Sequence, residues 1–152
     1  MANEYHSRVA HEELQQHELR KPLLRKMKRH YGRPVVSFFT SHLHPVNIED
    51  SDVDALENLL LHLDLSDGLM LYIDSPGGSP LAAERIIKMC RSYSGTGEFW
   101  AFVAGKAKSA ATMICLGASK IIMSETAELG PVDPQFIVRE GNQNRFSRLI
   151  IW

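Results

Sequence analysis

One serine in this chain stands where a strand gives way to a helix. An apolar run of strand length, Phe99 to Ala104, leads through the loop Gly105 to Lys108 into Ser109, and the small apolar segment Ala110 to Ala118 follows. A hydroxyl at the start of a helix lies at the positive end of the helix dipole, which favours developing negative charge. The position suits a nucleophile. An ordinary N-cap serine is the plainer interpretation of this position taken alone, and both interpretations stay open.

A pair of glycines, Gly77 and Gly78, follows a second apolar run, Leu69 to Ile73. Glycines after a buried strand reach backbone angles closed to other residues and let another chain approach the main-chain N–H groups. Such N–H groups, together with that of Ala110, could hold the oxyanion of an acyl-transfer intermediate. The alternative is a tight turn into a helix that Ser79 caps.

These loops need a sheet to bring them together, and the pattern of apolar runs predicts one. Four short runs read as strands: Val35 to Phe39, Leu69 to Ile73, Phe99 to Ala104 and Lys120 to Met123. Three helices are predicted between them, one capped by Ser51, one starting after Ser79, and one from Ala110 to Ala118 that is buried on all sides. Alternating strands and helices predict an α/β fold with a parallel sheet, which binds ligands beyond the carboxyl ends of its strands.

The first 33 residues differ in character from the rest. Their sparse apolar positions predict one or two surface helices interrupted at Pro22, so we divide the chain into a helical extension, 1–33, and a main domain, 34–152. Residues 20–33 carry seven Lys or Arg and no acid, whereas residues 49–67 carry seven Asp or Glu and no Lys or Arg. Solvated helix faces are the plainer interpretation, and peripheral contact of residues 20–33 with an anionic membrane surface is the alternative.

Length and composition set limits on function. A chain of 152 residues with 44% hydrophobic and 23% charged residues is typical of one compact domain, and its net charge of −1 argues against a dedicated nucleic-acid binder. We find no apolar run of membrane-spanning length and no apolar leader. Cys90 and Cys115 lie in apolar surroundings and indicate buried thiols in a reducing compartment, so we expect a cytoplasmic protein without metal or cofactor.

Three stretches in fixed order resemble a known family. They are Ile73 to Ser79 (IDSPGGS), Lys108 to Thr112 (KSAAT) and Leu129 to Gln135 (LGPVDPQ). Together they resemble the clan of the Clp protease proteolytic subunit and signal peptide peptidase, and within it the serine dehydrogenase proteinase family. The resemblance covers roughly Val35 to Phe136 and implies a fold of the Clp-protease and crotonase type that assembles into homo-oligomers.

The resemblance also implies roles for individual residues. Ser109 becomes the nucleophile, Gly77 or Gly78 with Ala110 the oxyanion donors, and Asp133 falls near the clan's second catalytic position. In the relatives a Lys or His further downstream serves as the base, but this chain has neither after Lys120. The remaining basic candidates are loop residues: Lys106, Lys108, His42 and His44.

A serine hydroxyl is a weak nucleophile until a positioned base takes its proton. We therefore expect a serine peptidase-like protein that acts on a peptide or protein substrate weakly or not at all, in a chain shortened at its C-terminus. A peptide-binding or scaffold homologue that holds its peptide uncut is the alternative. An acyl-CoA-binding enzyme of the crotonase type is the second alternative, and the Asp-Ser-Pro-Gly-Gly string favours the peptidases over it. We also expect that Gly78→Val harms function more than fold.

Overall fold

A computed structural model describes residues 19–42, 46–132, 135–140 and 143–148. Its four helices are α1 (19–31), α2 (Asp50–Leu60), α3 (Pro80–Tyr93) and α4 (Ala110–Leu116). Its eight strands are β1 (Val35–Phe39), β2 (Leu69–Asp74), β3 (Phe99–Val103), β4 (Lys106–Ala107), β5 (Lys120–Met123), β6 (Glu128–Leu129), β7 (Gln135–Glu140) and β8 (Gln143–Arg148).

The central sheet has the order β1-β2-β3-β5, and all its strands run parallel. The predicted α/β class and parallel sheet are therefore confirmed. Each parallel pair of strands needs a crossover connection, and α2, α3 and α4 form these connections. β4 pairs in parallel with β6, and β7 pairs antiparallel with β8. All carboxyl ends of the central strands lie at one edge, where the candidate residues follow.

The two faces of the sheet are covered unequally. The inner face contributes fully buried side chains, among them Leu71, Ile73, Phe99 and Val103, to one core with α2, α3 and α4. The register places Ser37, Tyr72 and Phe102 in one row on the outer face, where residues of α1 and its C-terminal flank contact the sheet. Cys90 and Cys115 are free and buried in the core, as predicted, and burial raises the pKa of each thiol to about 12.

Several details predicted for the helices were wrong. Helix α2 starts after Glu49, whose N–H donates to the Asp52 carboxylate, so Ser51 lies inside the helix and does not cap it. Pro22 does not interrupt α1, which is helical from residue 19 to 31. Helix α4 ends at Leu116, and that side chain is 65% exposed, so the segment is not buried on all sides. The loop before Ser109 also contains the short strand β4. This strand was not predicted, because two residues are too few to leave a strand pattern in the sequence.

Candidate active site

Ser109 lies in a turn of unusual backbone conformation. This serine turn, residues 105–109, lies between β3 and α4 and contains β4, and Ser109 has φ 48° and ψ −119°. Among the described residues it is the one non-glycine residue with positive φ. Such a conformation costs about 1–3 kcal/mol and persists only where neighbouring contacts hold it.

Those contacts are hydrogen bonds of the backbone. The Ser109 N–H donates to the Pro131 carbonyl at 3.0 Å, and the Ser109 carbonyl accepts from the Met113 N–H at 3.1 Å. The half-buried hydroxyl makes no capping hydrogen bond to α4. Ser109 therefore occupies the N-cap position without capping α4 through its side chain, and its hydroxyl has no hydrogen-bond partner among the described residues.

The glycine turn, residues 74–79, packs directly against this serine. A Cβ atom added to Gly77 would lie 2.7 Å from the Ser109 Cβ and 2.7 Å from the Lys108 carbonyl oxygen. Gly77 also has φ +107°, so only glycine fits without strain. The Gly77 N–H donates to the Ser75 hydroxyl at 3.0 Å, and that hydroxyl lies 2.6 Å from the hydroxyl of Thr40.

Gly78 pairs with a second segment of the chain. The Ile48 N–H donates to the Gly77 carbonyl and the Ser79 N–H donates to the Ile48 carbonyl, both at 2.8 Å. A Cβ on Gly78 would lie 2.2 Å from the Ile48 backbone nitrogen. Because successive groups of an extended chain alternate in direction, the Gly78 N–H and C=O face away from Ile48, and neither has a hydrogen-bond partner among the described residues. One backbone edge of the glycine turn is therefore open.

The third sequence stretch, which begins at the end of β6, is held beside the serine turn. The Thr112 hydroxyl donates to the Ala107 carbonyl at 2.6 Å and accepts from the Gly130 N–H at 2.8 Å. Together with the bond from Ser109 to Pro131, this fixes residues 130–131 against the start of α4. The structure thus brings all three stretches together. Asp133 itself lies outside the described residues.

Three of the four basic candidates lie close to carboxylates, and the fourth is outside the described residues. Lys108 Nζ lies 2.7 Å from Glu128 Oε2, and Lys106 Nζ lies 4.0 Å from Glu128 Oε1. The hydrogen bond from Lys108, and then the two lysine charges, lower the pKa of Glu128. His42 Nε2 lies 2.6 Å from Asp74 Oδ1 at the start of the glycine turn. None of these three makes a hydrogen bond to the Ser109 hydroxyl in the described structure, and His44 lies outside it.

Sequence reasoning missed the hydroxyl residues that support the two turns. Thr112, Ser75 and Thr40 each hold a backbone or side-chain atom of the site. Thr112 gave one usable signal, since it is a hydroxyl residue inside an otherwise apolar helix. Thr40 lies 35 positions before Ser75, and no local pattern reveals that contact.

The described residues contain no cluster of three or more His, Cys, Asp or Glu side chains that could hold a metal ion. Among the same residues, no helix is both long enough and apolar enough to cross a membrane.

A family model described as ClpP-like SDH-type serine proteinase matches residues 19–142. Two uncharacterized proteins of Methanocaldococcus jannaschii are similar in sequence. One is 38% identical over 105 residues, which is 69% of this chain and 33% of that protein. The other is 34% identical over 107 residues, which is 68% of this chain and 32% of that protein. The chain thus spans about a third of the length of these curated relatives.

A solved structure also shares the fold. It is an alanine-for-serine mutant of the 1510-N membrane-bound stomatin-specific protease, with a TM-score of 0.58 and 17% sequence identity. The match covers 74% of this chain and 53% of that chain. At this identity the similarity demonstrates a common fold, and it agrees with the α/β architecture derived from the strand order.

Proposed function

This chain belongs to the family of ClpP-like SDH-type serine proteinases, and from that premise we propose that it binds a peptide at the glycine turn and cleaves it slowly through an acyl-enzyme on Ser109. The chain is peptidase-like by family, and the activity of this chain is our proposal. The observation that carries it is the position of Ser109: its backbone is strained, its Cβ packs against Gly77, and its hydroxyl has no hydrogen-bond partner among the described residues.

We choose the oxyanion donors from the N–H groups that have no hydrogen-bond acceptor among the described residues. Gly77 donates to Ser75, whereas the N–H groups of Gly78 and Ala110 have no acceptor among the described residues. Ala110 also begins α4, so its N–H points out of the helix. We assign Gly78 and Ala110 as the pair that stabilises the negative oxygen of the tetrahedral intermediate.

In the proposed reaction the Ser109 oxygen forms a bond to the scissile carbonyl carbon, and its proton passes to a base. The amide C–N bond then breaks as the amine takes that proton, and water hydrolyses the ester. Asp133 is our candidate base, because residue 131 is hydrogen-bonded to the Ser109 N–H. The ordinary pKa of an aspartate lies well below neutral pH, so it assists weakly, and the reaction should be slow.

A fluorophosphonate probe tests this assignment. We expect slow, stoichiometric labelling of Ser109 that is lost in Ser109→Ala and in Asp133→Asn and kept in Ser79→Ala, which removes the other helix-start serine. Labelling that persists in Asp133→Asn but disappears in His42→Gln, His44→Gln, Lys106→Met or Lys108→Met would assign the base to that residue instead. No labelling, with peptide binding measured by fluorescence anisotropy, would mean that the chain holds peptides uncut.

We also propose that the protein self-associates. Three apolar side chains on α3, on α4 and after β6 are largely exposed: Leu81 at 72%, Leu116 at 65% and Val132 at 45%. Burial of such side chains against another copy would stabilise an oligomer. Light scattering should give a mass of more than one protomer at micromolar concentration, and a monomer at that concentration would contradict the proposal.

A further inference from the structure

Ser75, in the glycine turn, is a polar residue with no exposed surface. Among the described residues two other polar residues are buried, Ser94 and Thr112. Burying a hydroxyl is costly unless hydrogen bonds replace its contacts with water. The partners of Ser75 therefore indicate what its hydroxyl does in the site.

The backbone of Ser75 joins the glycine turn to the serine turn. Its N–H donates to the Lys106 carbonyl at 2.8 Å, and its carbonyl accepts from the Lys108 N–H at 3.0 Å. Ser75 thus forms a parallel bridge with Ala107 in β4. Because Lys108 directly precedes Ser109, a shift of the Ser75 backbone would move the two turns relative to each other.

The side chain of Ser75 orients the glycine turn itself. The Gly77 N–H donates to the Ser75 hydroxyl at 3.0 Å, and the Thr40 hydroxyl lies 2.6 Å from the same oxygen. Glycines allow the peptide planes on either side of them to rotate at little steric cost, so hydrogen bonds must hold these planes. Ser75 holds the plane that carries the Gly77 N–H.

The next peptide plane carries the Gly78 N–H, which we assigned to the oxyanion. The Ile48 N–H donates to the Gly77 carbonyl of this plane at 2.8 Å. In a trans peptide the N–H and the C=O point in opposite directions, so this bond aims the Gly78 N–H away from Ile48. Rotation about the backbone bonds of Gly77 would change that direction. Gly77 is held at both ends, by Ser75 at its N–H and by Ile48 at its carbonyl.

We propose that Ser75 is a positioning residue for the peptide cleavage proposed above, on which this inference rests. Acting through Gly77, it holds the Gly78 N–H in the direction that the negative oxygen of the tetrahedral intermediate requires, and it withholds the Gly77 N–H from that role. Because Ser75 has no exposed surface, it does not touch the substrate. Its loss should slow the bond-forming step without weakening binding.

The time course of labelling at several concentrations of a fluorophosphonate tests this inference. It separates KI, which reports binding of the probe, from kinact, the rate constant for bond formation to Ser109. One oxyanion donor contributes about 10²–10³ in rate, and Ser75→Ala keeps the donor but holds it less well. We therefore expect kinact to fall by about tenfold and KI to change by less than about threefold. Partial unfolding would lower the amount of labelled protein and leave both constants unchanged.

Ser94→Ala is the matched control. Ser94 is also buried, and its hydroxyl donates to the Glu98 carbonyl before β3, at the opposite edge of the sheet from the two turns. This variant should lose stability but keep the kinact of the wild type. If Ser75→Ala does not fold, Thr40→Val decides, because Thr40 is only half-buried and its change removes the second partner of the Ser75 oxygen. There we expect kinact to fall by about threefold or more.

Three results would overturn the inference. If neither Ser75→Ala nor Thr40→Val lowers kinact in a labelled protein, Ser75 has no positioning role, and the proposed function stands. A higher KI with an unchanged kinact would mean that Ser75 shapes the binding surface instead. Absence of labelling in the wild type would contradict the proposed cleavage itself, and this inference with it.

Discussion

Two turns connect strands of this fold to helices, and each places a serine directly before its helix. In the glycine turn, Ser79 has an extended backbone, φ −65° and ψ 122°, and its hydroxyl accepts from the Ala82 N–H at 3.3 Å. In the serine turn, Ser109 has φ 48° and ψ −119° and makes no such bond. A helix-start serine therefore caps only where its backbone is extended. At Ser109, where contacts with Pro131 and Gly77 hold the backbone in another conformation, the hydroxyl makes no capping bond.

Among substitutions in the two turns, Gly78→Ala should cause the largest change in the free energy of unfolding. The new Cβ would lie 2.2 Å from the Ile48 nitrogen, so the pairing with Ile48 must open, and we expect a loss of about 2–3 kcal/mol in the free energy of unfolding. This revises our expectation that a larger residue at Gly78 harms function more than fold. Urea unfolding measures the loss.

Gly97→Ala is the matched control for that variant. Gly97 also has positive φ, +69°, but a Cβ there meets nothing within 4 Å. It should lose only about 1 kcal/mol, through backbone strain alone. Equal losses in both variants would mean that the contact with Ile48 contributes nothing.

Removing each serine hydroxyl tests the difference in capping directly. Ser79→Ala removes the acceptor for the Ala82 N–H and should lower the free energy of unfolding by about 1 kcal/mol. Ser109→Ala removes no cap and should change it by less than about 0.5 kcal/mol. Thermal unfolding of the two variants side by side is the measurement. Similar losses would show that Ser109 caps α4 in solution.

Strain at Ser109 predicts a change of the opposite sign. Glycine adopts positive φ freely, so Ser109→Gly should raise the free energy of unfolding by about 0.5–1 kcal/mol, after the greater entropy of glycine in the unfolded chain is subtracted. Fluorophosphonate labelling should be lost at the same time. A variant less stable than Ser109→Ala would show that the turn holds no strain.

The smallest effect should come from the ion pair that joins the serine turn to β6. The pKa of Glu128 lies below its ordinary 4.5 in the folded protein, so its stabilising effect is complete above pH 4.5 and is lost as the pH falls through the lowered value. Glu128→Gln should therefore melt slightly below the wild type at pH 7, and the difference should vanish in acid. Glu84→Gln, which breaks an ion pair within α3, should show the same small loss at neutral pH and the same convergence in acid, because Lys88 lowers the pKa of Glu84.

The sequence predicted most of the central sheet because its strands are continuous apolar runs. β1 has the predicted bounds, and β5 does as well. Ser109 and the two glycines could be found because a strand, a loop of small residues and a helix follow one another there. Asp74, by contrast, gave no sign of its pairing with His42, because 32 positions separate them.

What the sequence could not predict is the conformation at Ser109. Local propensity favours an extended N-cap serine whose hydroxyl caps the helix, whereas Ser109, held by Pro131 and packed against Gly77, has positive φ and makes no capping bond. These contacts are tertiary, and no periodicity records them. The assignment of oxyanion donors depends on the same kind of information, since it is the Ser75 hydroxyl that occupies the Gly77 N–H.

During synthesis Ser109 leaves the ribosome before Pro131 does. Until residues 128–131 emerge and β6 aligns with β4, the N–H of Ser109 lacks its carbonyl acceptor and Thr112 lacks its bond from Gly130. The backbone at Ser109 then lacks one of the contacts that hold its strained conformation and can relax more easily. If Ser109 acts as we propose, its local structure is therefore complete only after β6 has paired with β4, late in the synthesis of this segment.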